Sequence, residues 1–259
     1  MDRKWALILG GSSGLGLATA KKLAIHGYHL FIVHRDRKAD LPQIEKDFRE
    51  ITSIGGQLKS FNIDVANPEK RREFISQIKA HLSDKNKIGV LVHSIAKGSL
   101  KSMLPHEGQA LNHQDFNITL NAMALSLYDW TAELIEAGLF AEDSRIISFT
   151  SEGNTKAWPG YAAVSAAKVT LEAITRNMAL EFAPLGIKAN CIQAGTTVTR
   201  AFTMIPDSEK LKENALERNP SGRLTTPEDV ANVVYLLTTD EAKWITGTVI
   251  KVDGGESLS

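Results

Sequence analysis

The chain has 259 residues, with 30 Lys and Arg balanced by 30 Asp and Glu, 43% hydrophobic residues and one cysteine. This length and apolar content predict a single folded domain over residues 1–259 and exclude an intrinsically disordered chain. The zero net charge removes the usual electrostatic basis for binding nucleic acid. Because Cys191 is alone, an internal disulfide is excluded.

The beginning of the chain shows no targeting pattern. No apolar stretch is followed by a small-residue cleavage site, and no apolar run approaches the ~20 residues that a membrane helix needs. We therefore expect a soluble cytoplasmic protein that does not contact a membrane.

Short apolar runs alternate with longer segments of helical spacing along the chain. In order, the patterns predict a strand at 5–9, helix 17–26, strand 30–33, helix 44–54, strand 58–63, helix 68–82, strand 88–92, helix 118–137, strand 145–149, helix 161–182, strand 187–192, helix 227–237 and strand 249–252. This alternation predicts an α/β fold, a doubly wound Rossmann-type domain with a parallel sheet. The polar stretch 196–222 has no regular pattern and is predicted to be a mobile, unanchored segment beside the site.

A glycine-rich turn joins the first strand to the first helix. Its glycines at 10, 14 and 16 have the spacing G-x3-G-x-G. Glycine lets the backbone approach a pyrophosphate, which the free N–H groups of a helix N-terminus attract. The candidate cofactor contacts in this turn are Gly10, Ser12, Ser13, Gly14, Leu15 and Gly16. A plain strand–helix turn is the alternative.

This spacing, its N-terminal position and the chain length resemble the short-chain dehydrogenase/reductase superfamily over essentially the whole chain. The resemblance implies an adenine contact at Asp64 and Val65, although Asp64 could instead cap the following helix. It also implies cofactor contacts after the fourth and sixth strands, namely Ser94, Ile95, Ala96, Ala194, Gly195, Thr197 and Thr199.

The residues after the second strand bear on the choice of nucleotide. An acidic side chain at this place binds the ribose hydroxyls and repels a 2′-phosphate, but here His34 and Arg35 follow the strand. A guanidinium binds phosphate through paired hydrogen bonds, so we expect NADPH, with Arg35 as the main contact. Two alternatives stay open: NADH is favoured if Asp36 turns inward, and Arg35 could be an ordinary solvated charge.

Lys168 opens the run Lys-Val-Thr-Leu-Glu-Ala, which resembles the segment of the superfamily's catalytic lysine. Ketoreductases of the superfamily have Tyr four residues earlier, where Val164 stands here, and the nearest tyrosine is Tyr161. Seven residues are almost two helical turns, so Tyr161 and Lys168 can share a face. Ser151 stands in the place of the superfamily's catalytic serine.

Tyr-x6-Lys is the spacing of the enoyl-acyl-carrier-protein reductases, and the glycine turn resembles that of their divergent branch. The segments 93–95 and 193–195 are also similar to matching segments of these enzymes. The resemblance implies NADPH-dependent reduction of trans-2-enoyl thioesters in fatty-acid synthesis, with substrate on an acidic acyl carrier protein. It implies that Tyr161 stabilises the enolate oxygen, that Lys168 holds the nicotinamide ribose and that Ser151 assists. It also implies that the protein is a homotetramer.

Two other functions stay open. The chain could reduce 3-ketoacyl or other carbonyl substrates with the same three residues, or bind NADP without catalysis as a sensor or scaffold. The absence of Tyr at Val164 is the reason for the second alternative. No metal site is predicted, because His93, His106 and His113 lie outside any ligand motif.

Overall fold

A computed structural model describes residues 4–82, 86–105, 108 and 110–258. Strands and helices alternate along them. The strands are β1 (Trp5–Leu9), β2 (His29–His34), β3 (Leu58–Asn62), β4 (Ile88–His93), β5 (Phe140–Ser151), β6 (Ile187–Ala194) and β7 (Val249–Val252). The helices are α1 (Gly14–Ile25), α2 (Leu41–Ser53), α3 (Pro68–His81), α4 (His113–Leu120), α5 (Ser126–Glu136), α6 (Ala162–Glu181), α7 (Ser208–Arg218) and α8 (Pro227–Leu237).

The strands form one parallel sheet in the order β3-β2-β1-β4-β5-β6-β7. This arrangement confirms the predicted doubly wound fold. The chain order reverses between β1 and β4, and open α/β sheets bind ligands outside the carboxyl ends of their strands at such a point. The loops after β1, β2, β4, β5 and β6 therefore meet at one edge of the sheet.

Two apolar layers cover the sheet, because successive strand residues point to opposite faces. Leu7 and Leu9 of β1 pack on one face with side chains of α3, α5 and α6, including Trp130. Ala6 and Ile8 pack on the other face with side chains of α1, α2 and α8. All five residues of β1 are buried, as its uninterrupted apolar sequence predicts.

The helix predicted at 118–137 begins earlier than expected. Helix α4 starts after Asn112, whose side chain accepts from the Asp115 backbone N–H while the Asp115 carboxylate accepts from the Asn112 N–H. A π-helical stretch, Asn121–Leu125, then joins α4 to α5. The predicted boundary is wrong because this polar capping pair, and not an apolar repeat, marks the start of the helix.

The segment 196–222, in which the sequence shows no regular pattern, contains a helix in its second half. Residues Ser208–Arg218 form α7, of which only Ala215 is buried. With so little apolar surface, this helix has no periodic signal, and ion pairs of Arg218 with Glu152 and Glu256 attach it to the domain. That the segment is mobile stays a prediction.

Among the described residues, no helix combines the length and the apolar character that a bilayer crossing requires.

Candidate active site

The glycine-rich turn is packed so tightly at Gly10 and Gly16 that neither position can carry a side chain. A Cβ on Gly10, whose φ is +88°, would lie 2.3 Å from the carbonyl oxygen of Ser94, and a Cβ on Gly16 would lie 2.1 Å from that of Gly10. The hydroxyl of Ser13, the N-cap of α1, is exposed and makes no capping hydrogen bond. The turn therefore presents backbone and the N-terminus of α1 to the crevice, which fits a pyrophosphate.

We expect Gly16→Ala to destabilise the protein and to weaken dinucleotide binding, because a methyl group cannot fit against the Gly10 carbonyl. Overpacking of this kind costs about 1–3 kcal/mol, which lowers Tm by several degrees in a domain of this size. Gly89→Ala is the matched control, since its nearest neighbour would lie at an ordinary 3.6 Å. Calorimetry and cofactor titration of both variants test this, and an equal Tm would contradict it.

The loops after β4 and β6 close around the turn. The Ser94 N–H donates to the Leu9 carbonyl at 2.8 Å, and a Cβ on Gly14 would lie 3.3 Å from Thr199 Cγ2. The Thr197 hydroxyl donates to the Gly195 carbonyl, and Thr197 is buried. The remaining candidates of this group lie in the same three loops or at their strand ends, at Ser12, Leu15, Ile95, Ala96 and Ala194.

The residues at the end of β2 give opposite indications on the choice between NADH and NADPH. The Asp36 carboxylate is 12% exposed, and its Oδ2 lies 2.9 Å from Nδ1 of the buried His34. This inward turn is the arrangement that favours NADH. The side chain of Arg35 is 60% exposed and lies 2.9 Å from Asp64, so a guanidinium is also present at the nucleotide end of the crevice.

Asp64 does not cap α3, because the Asn67 side chain does so by accepting from the Lys70 N–H. Its carboxylate instead accepts from the Ala66 N–H and from Lys97 at 3.0 Å. Burial acts to raise the pKa of Asp64, but these hydrogen bonds and the nearby Arg35 outweigh it and lower that pKa. Asp64 is therefore an ionised acceptor at neutral pH.

Val65 is buried beside Asp64, and its carbonyl accepts a hydrogen bond from Trp130 Nε1 at 2.9 Å. This bond fixes the loop after β3 to α5.

The structure brings Ser151 and Tyr161 into contact at the carboxyl end of β5. Ser151 Oγ lies 3.4 Å from the Tyr161 hydroxyl, and Tyr161, which precedes α6, is 8% exposed. Lys168 is 7% exposed on the buried face of α6, and its Nζ donates to the Phe149 carbonyl at 2.6 Å. Val164, between Tyr161 and Lys168, is buried on the same face.

The environment sets the proton state of each group. Burial raises the pKa of Tyr161, against an opposing hydrogen bond from Ser151, so this phenol is a neutral donor at pH 7. Burial lowers the pKa of Lys168 to about 8, with Cys191 and Glu172 acting in the opposite direction. Lys168 is thus mostly protonated at pH 7, but close to titration.

The imidazole of His93 carries no positive charge at neutral pH. Burial and the charge of Lys168 lower the pKa of His93 to about 3, so this imidazole is neutral at pH 7. Its Nε2 lies 2.8 Å from the Ser126 oxygen, and the Ser126 hydroxyl donates its proton to the Ala122 carbonyl.

Two glycines let the walls of the site approach closely. A Cβ on Gly153 would lie 2.5 Å from Tyr161 Cε1, and a Cβ on Gly98 would lie 2.7 Å from Val164 Cγ2. Val164 therefore puts an apolar wall where ketoreductases of the superfamily have their phenol. The methyl group of Thr119 also faces Gly98, and the Thr119 hydroxyl accepts from the Ser99 backbone N–H and donates to the Asp115 carbonyl.

Sequence reasoning missed the acidic residues behind the site. Glu172 lies one helical turn after Lys168 and accepts from Thr150 and Asn154, and its spacing from Lys168 could have indicated it. No local pattern could have indicated the contacts of Glu152 and Glu256 with Arg218, which join distant parts of the chain.

Within the ranges that the structure describes, no group of three or more His, Cys, Asp or Glu side chains is arranged to hold a metal ion. His106, one of the histidines considered from sequence, lies outside those ranges.

The sheet order, the glycine turn and the grouping of Ser151 with the buried Tyr161 and Lys168 define an oxidoreductase of the short-chain dehydrogenase/reductase superfamily. A family model described as "Enoyl-(Acyl carrier protein) reductase" matches residues 10–257, and the chain belongs to this family.

Relatives of different named activities are similar to this chain over its whole length. A probable 2,4-dienoyl-CoA reductase of Bacillus subtilis is 29% identical over 100% of this chain and 98% of its own. The 3-oxoacyl-[acyl-carrier-protein] reductase FabG of Thermotoga maritima is 26% identical over 98% of each chain. The crystal structure of enoyl-[acyl-carrier-protein] reductase (NADH) from Aquifex aeolicus has a TM-score of 0.85 at 27% identity, over 99% of this chain and 97% of that one.

Proposed function

We propose that the protein is an NADPH-dependent enoyl-acyl-carrier-protein reductase that reduces trans-2-enoyl thioesters in fatty-acid synthesis. The observation that carries the proposal is the position of the Tyr161 phenol. Tyr161, in contact with Ser151, lies seven residues before the buried Lys168, while the apolar Val164 fills the position four residues before it.

Reduction of an enoyl thioester places special demands on the proton donor. When bound, reduced nicotinamide supplies the hydride that the β-carbon of the substrate accepts. Negative charge then develops on the thioester oxygen, several bonds away from that carbon. A neutral phenol displaced toward the start of α6 suits this oxygen, and Tyr161 is neutral and held in a buried site where such a hydrogen bond is strong.

The other residues support this donor. The protonated Lys168 lies on the same helix face and keeps the local field positive, which favours charge on the oxygen. We assign its ammonium to the nicotinamide ribose and the tight glycine turn to the pyrophosphate. Ser151, 3.4 Å from the phenol, orients the hydroxyl of Tyr161.

Arg35 supports the choice of NADPH, because its guanidinium is exposed directly after β2, where a 2′-phosphate would compete with Asp64 as its anionic partner. We expect Arg35→Ser to raise the Kd for NADPH by about 10- to 100-fold and to leave the Kd for NADH nearly unchanged, since a charge-assisted phosphate contact is lost. Arg37→Ser in the same loop is the matched control. Fluorescence titration measures both constants, and equal weakening for NADPH and NADH would contradict the assignment.

The partners and the cellular site belong to the same proposal. The substrate is carried by acyl carrier protein, and the enzyme is a cytoplasmic homotetramer, which gel filtration with light scattering can test. Three basic side chains of the segment 196–222 could attract an acidic carrier, and each already has an acidic partner: Arg200 pairs with Asp40, Lys210 with Asp207 and Lys212 with Glu209. A docking carrier would have to compete with those carboxylates.

The experiment follows nicotinamide oxidation with a trans-2-enoyl thioester and with a 3-ketoacyl thioester, each with NADPH and NADH. We expect turnover of the enoyl substrate with NADPH. Turnover of the ketoacyl substrate alone would favour the second candidate, a 3-ketoacyl reductase, which the Ser151–Tyr161 contact also suits. Cofactor binding without turnover of either would instead favour a non-catalytic sensor or scaffold.

A further inference from the structure

One guanidinium joins helix α7 to two loops behind the proposed site. Arg218, the last residue of α7, donates from Nη2 to Glu152 Oε1 at 2.6 Å and from Nη1 to Glu152 Oε2 at 3.2 Å. The same Nη2 lies 3.3 Å from Glu256 Oε1, after β7. Glu152 and Glu256 are 7% and 1% exposed, so Arg218 joins two buried carboxylates. Its paired contact with Glu152 fixes orientation as well as charge.

Glu152 connects this ion pair to the proposed proton donor. It directly follows Ser151, and the next residue, Gly153, packs so closely on the Tyr161 ring that no Cβ would fit between them. The Thr155 and Lys156 backbone N–H groups donate to the Glu152 carbonyl, which makes this loop one compact turn. A shift of Glu152 would therefore move both the Ser151 hydroxyl and the wall behind Tyr161.

Glu256 connects the same ion pair to the loop after β6. Its Oε2 accepts from the Thr196 N–H at 2.9 Å, and its Oε1 accepts from the Thr196 hydroxyl at 2.7 Å. Thr196 lies between Gly195 and Thr197, two proposed cofactor contacts. The segment 196–222 also reaches the site directly, because Ile205 packs against the apolar cluster that contains Tyr161.

We propose that Arg218 is a positioning residue, which fixes the Ser151–Tyr161 pair through Glu152 and the Thr196 loop through Glu256 while it holds α7 against the site. The charges support this role, because Arg218 and Lys156, 3.1 Å from Glu152, balance the two carboxylates. Without Arg218, one negative charge is left in excess among buried groups, and these loops separate. The inference rests on the proposed function only for the identity of the substrate. The contacts of Arg218 are the same whichever thioester is reduced.

The experiment compares Arg218→Met with Arg223→Met. Arg223 is the matched control, since it forms a similar paired contact with Asp229, at 2.6 and 3.0 Å, away from Ser151. We expect Arg218→Met to lower kcat by about 10- to 100-fold, because small displacements of reacting groups have effects of this size. Arg223→Met should retain the wild-type kcat, and Arg218→Lys should recover part of the loss. All kcat values are measured well below each variant's Tm.

Glu152→Gln separates positioning from general destabilisation. It keeps the shape of the side chain and removes the excess charge, so the double variant Glu152→Gln/Arg218→Met should lose less kcat than the product of the two single effects. Independent effects, or a kcat of Arg218→Met equal to that of Arg223→Met, would overturn the inference. If Arg218→Met does not fold, the kcat values of Arg218→Lys, of Glu152→Gln and of their double variant are compared in the same way.

Hydrogen exchange separates this inference from the proposed function. The backbone N–H groups of Thr155, Lys156 and Thr196 should exchange faster in Arg218→Met than in Arg223→Met, whichever substrate the wild type reduces. If the wild type reduces only a 3-ketoacyl thioester, the proposed function fails and the kcat comparison is made with that substrate. If it reduces neither substrate, hydrogen exchange alone tests the inference. Equal exchange rates at these positions in Arg218→Met and Arg223→Met would then overturn the role of Arg218.

Discussion

Replacing Tyr161 with Phe should lower kcat for a trans-2-enoyl thioester by about 10²- to 10⁴-fold, the usual range for loss of a positioned proton donor. The fold should survive, because the ring of Tyr161 packs in an apolar cluster with Met123, Val164 and Ala167, and only its hydroxyl is removed. The affinity for NADPH should also survive, since the proposed cofactor contacts lie in other loops. Steady-state kinetics and a cofactor titration measure the two effects separately.

Tyr128→Phe is the control for this experiment. Tyr128 lies on α5 and is 51% exposed, so it loses the same hydroxyl without touching the Ser151–Tyr161 pair. A kcat of Tyr161→Phe equal to that of Tyr128→Phe would show that the phenol is not the donor. A loss confined to NADPH affinity would likewise contradict its assignment to the thioester oxygen.

Replacing Lys168 with Met should lower kcat by about 10²-fold or more, because the one cation among the buried residues of α6 is removed. In the wild type, this charge is lost as pH rises through the lowered pKa of about 8. We therefore expect kcat/KM to fall above pH 8. A pH profile flat to pH 10 would contradict a protonated Lys168 as the active form.

Lys168 should also leave a signature in stability. Its pKa is about 8 in the folded protein and 10.5 as the ordinary value, so both states hold the proton below pH 8. Between pH 8 and 10, the unfolded chain binds more protons, so the free energy of unfolding rises with pH by at most about 1.4 kcal/mol per pH unit. Lys168→Met lacks this contribution. Urea unfolding of both proteins without cofactor measures it, and parallel pH dependences would contradict it.

Local signals were sufficient for much of the fold. The predicted strands 5–9 and 249–252 and the helix 227–237 have the observed bounds. The helix at Pro227 carries its own start signal, since Thr226 and Asp229 form a reciprocal cap and Pro227 takes the first position. Where a boundary depended on distant contacts, as in α7, the sequence carried no comparable pattern.

The candidate site could likewise be predicted only in part from the sequence. Tyr161 and Lys168 could be placed together because they are linked by one helix, whose period fixes the shared face. The inward turn of Asp36 toward His34 and the contact of Arg35 with Asp64 depend on how loops from different strands meet. The ion pairs of Arg218 join helix α7 to the distant loops of Glu152 and Glu256, so no spacing along the chain could predict them.

The most direct test of the proposed function is a competition between two substrates. The wild-type protein is given NADPH and an equimolar mixture of a trans-2-enoyl thioester and the matching 3-ketoacyl thioester, and early products are identified by mass spectrometry. Because both compete for one enzyme, the product ratio gives the ratio of their kcat/KM values. We predict that the saturated acyl thioester predominates. Predominance of the 3-hydroxyacyl thioester would show that Tyr161 protonates an alkoxide and would contradict enoyl reduction as the function.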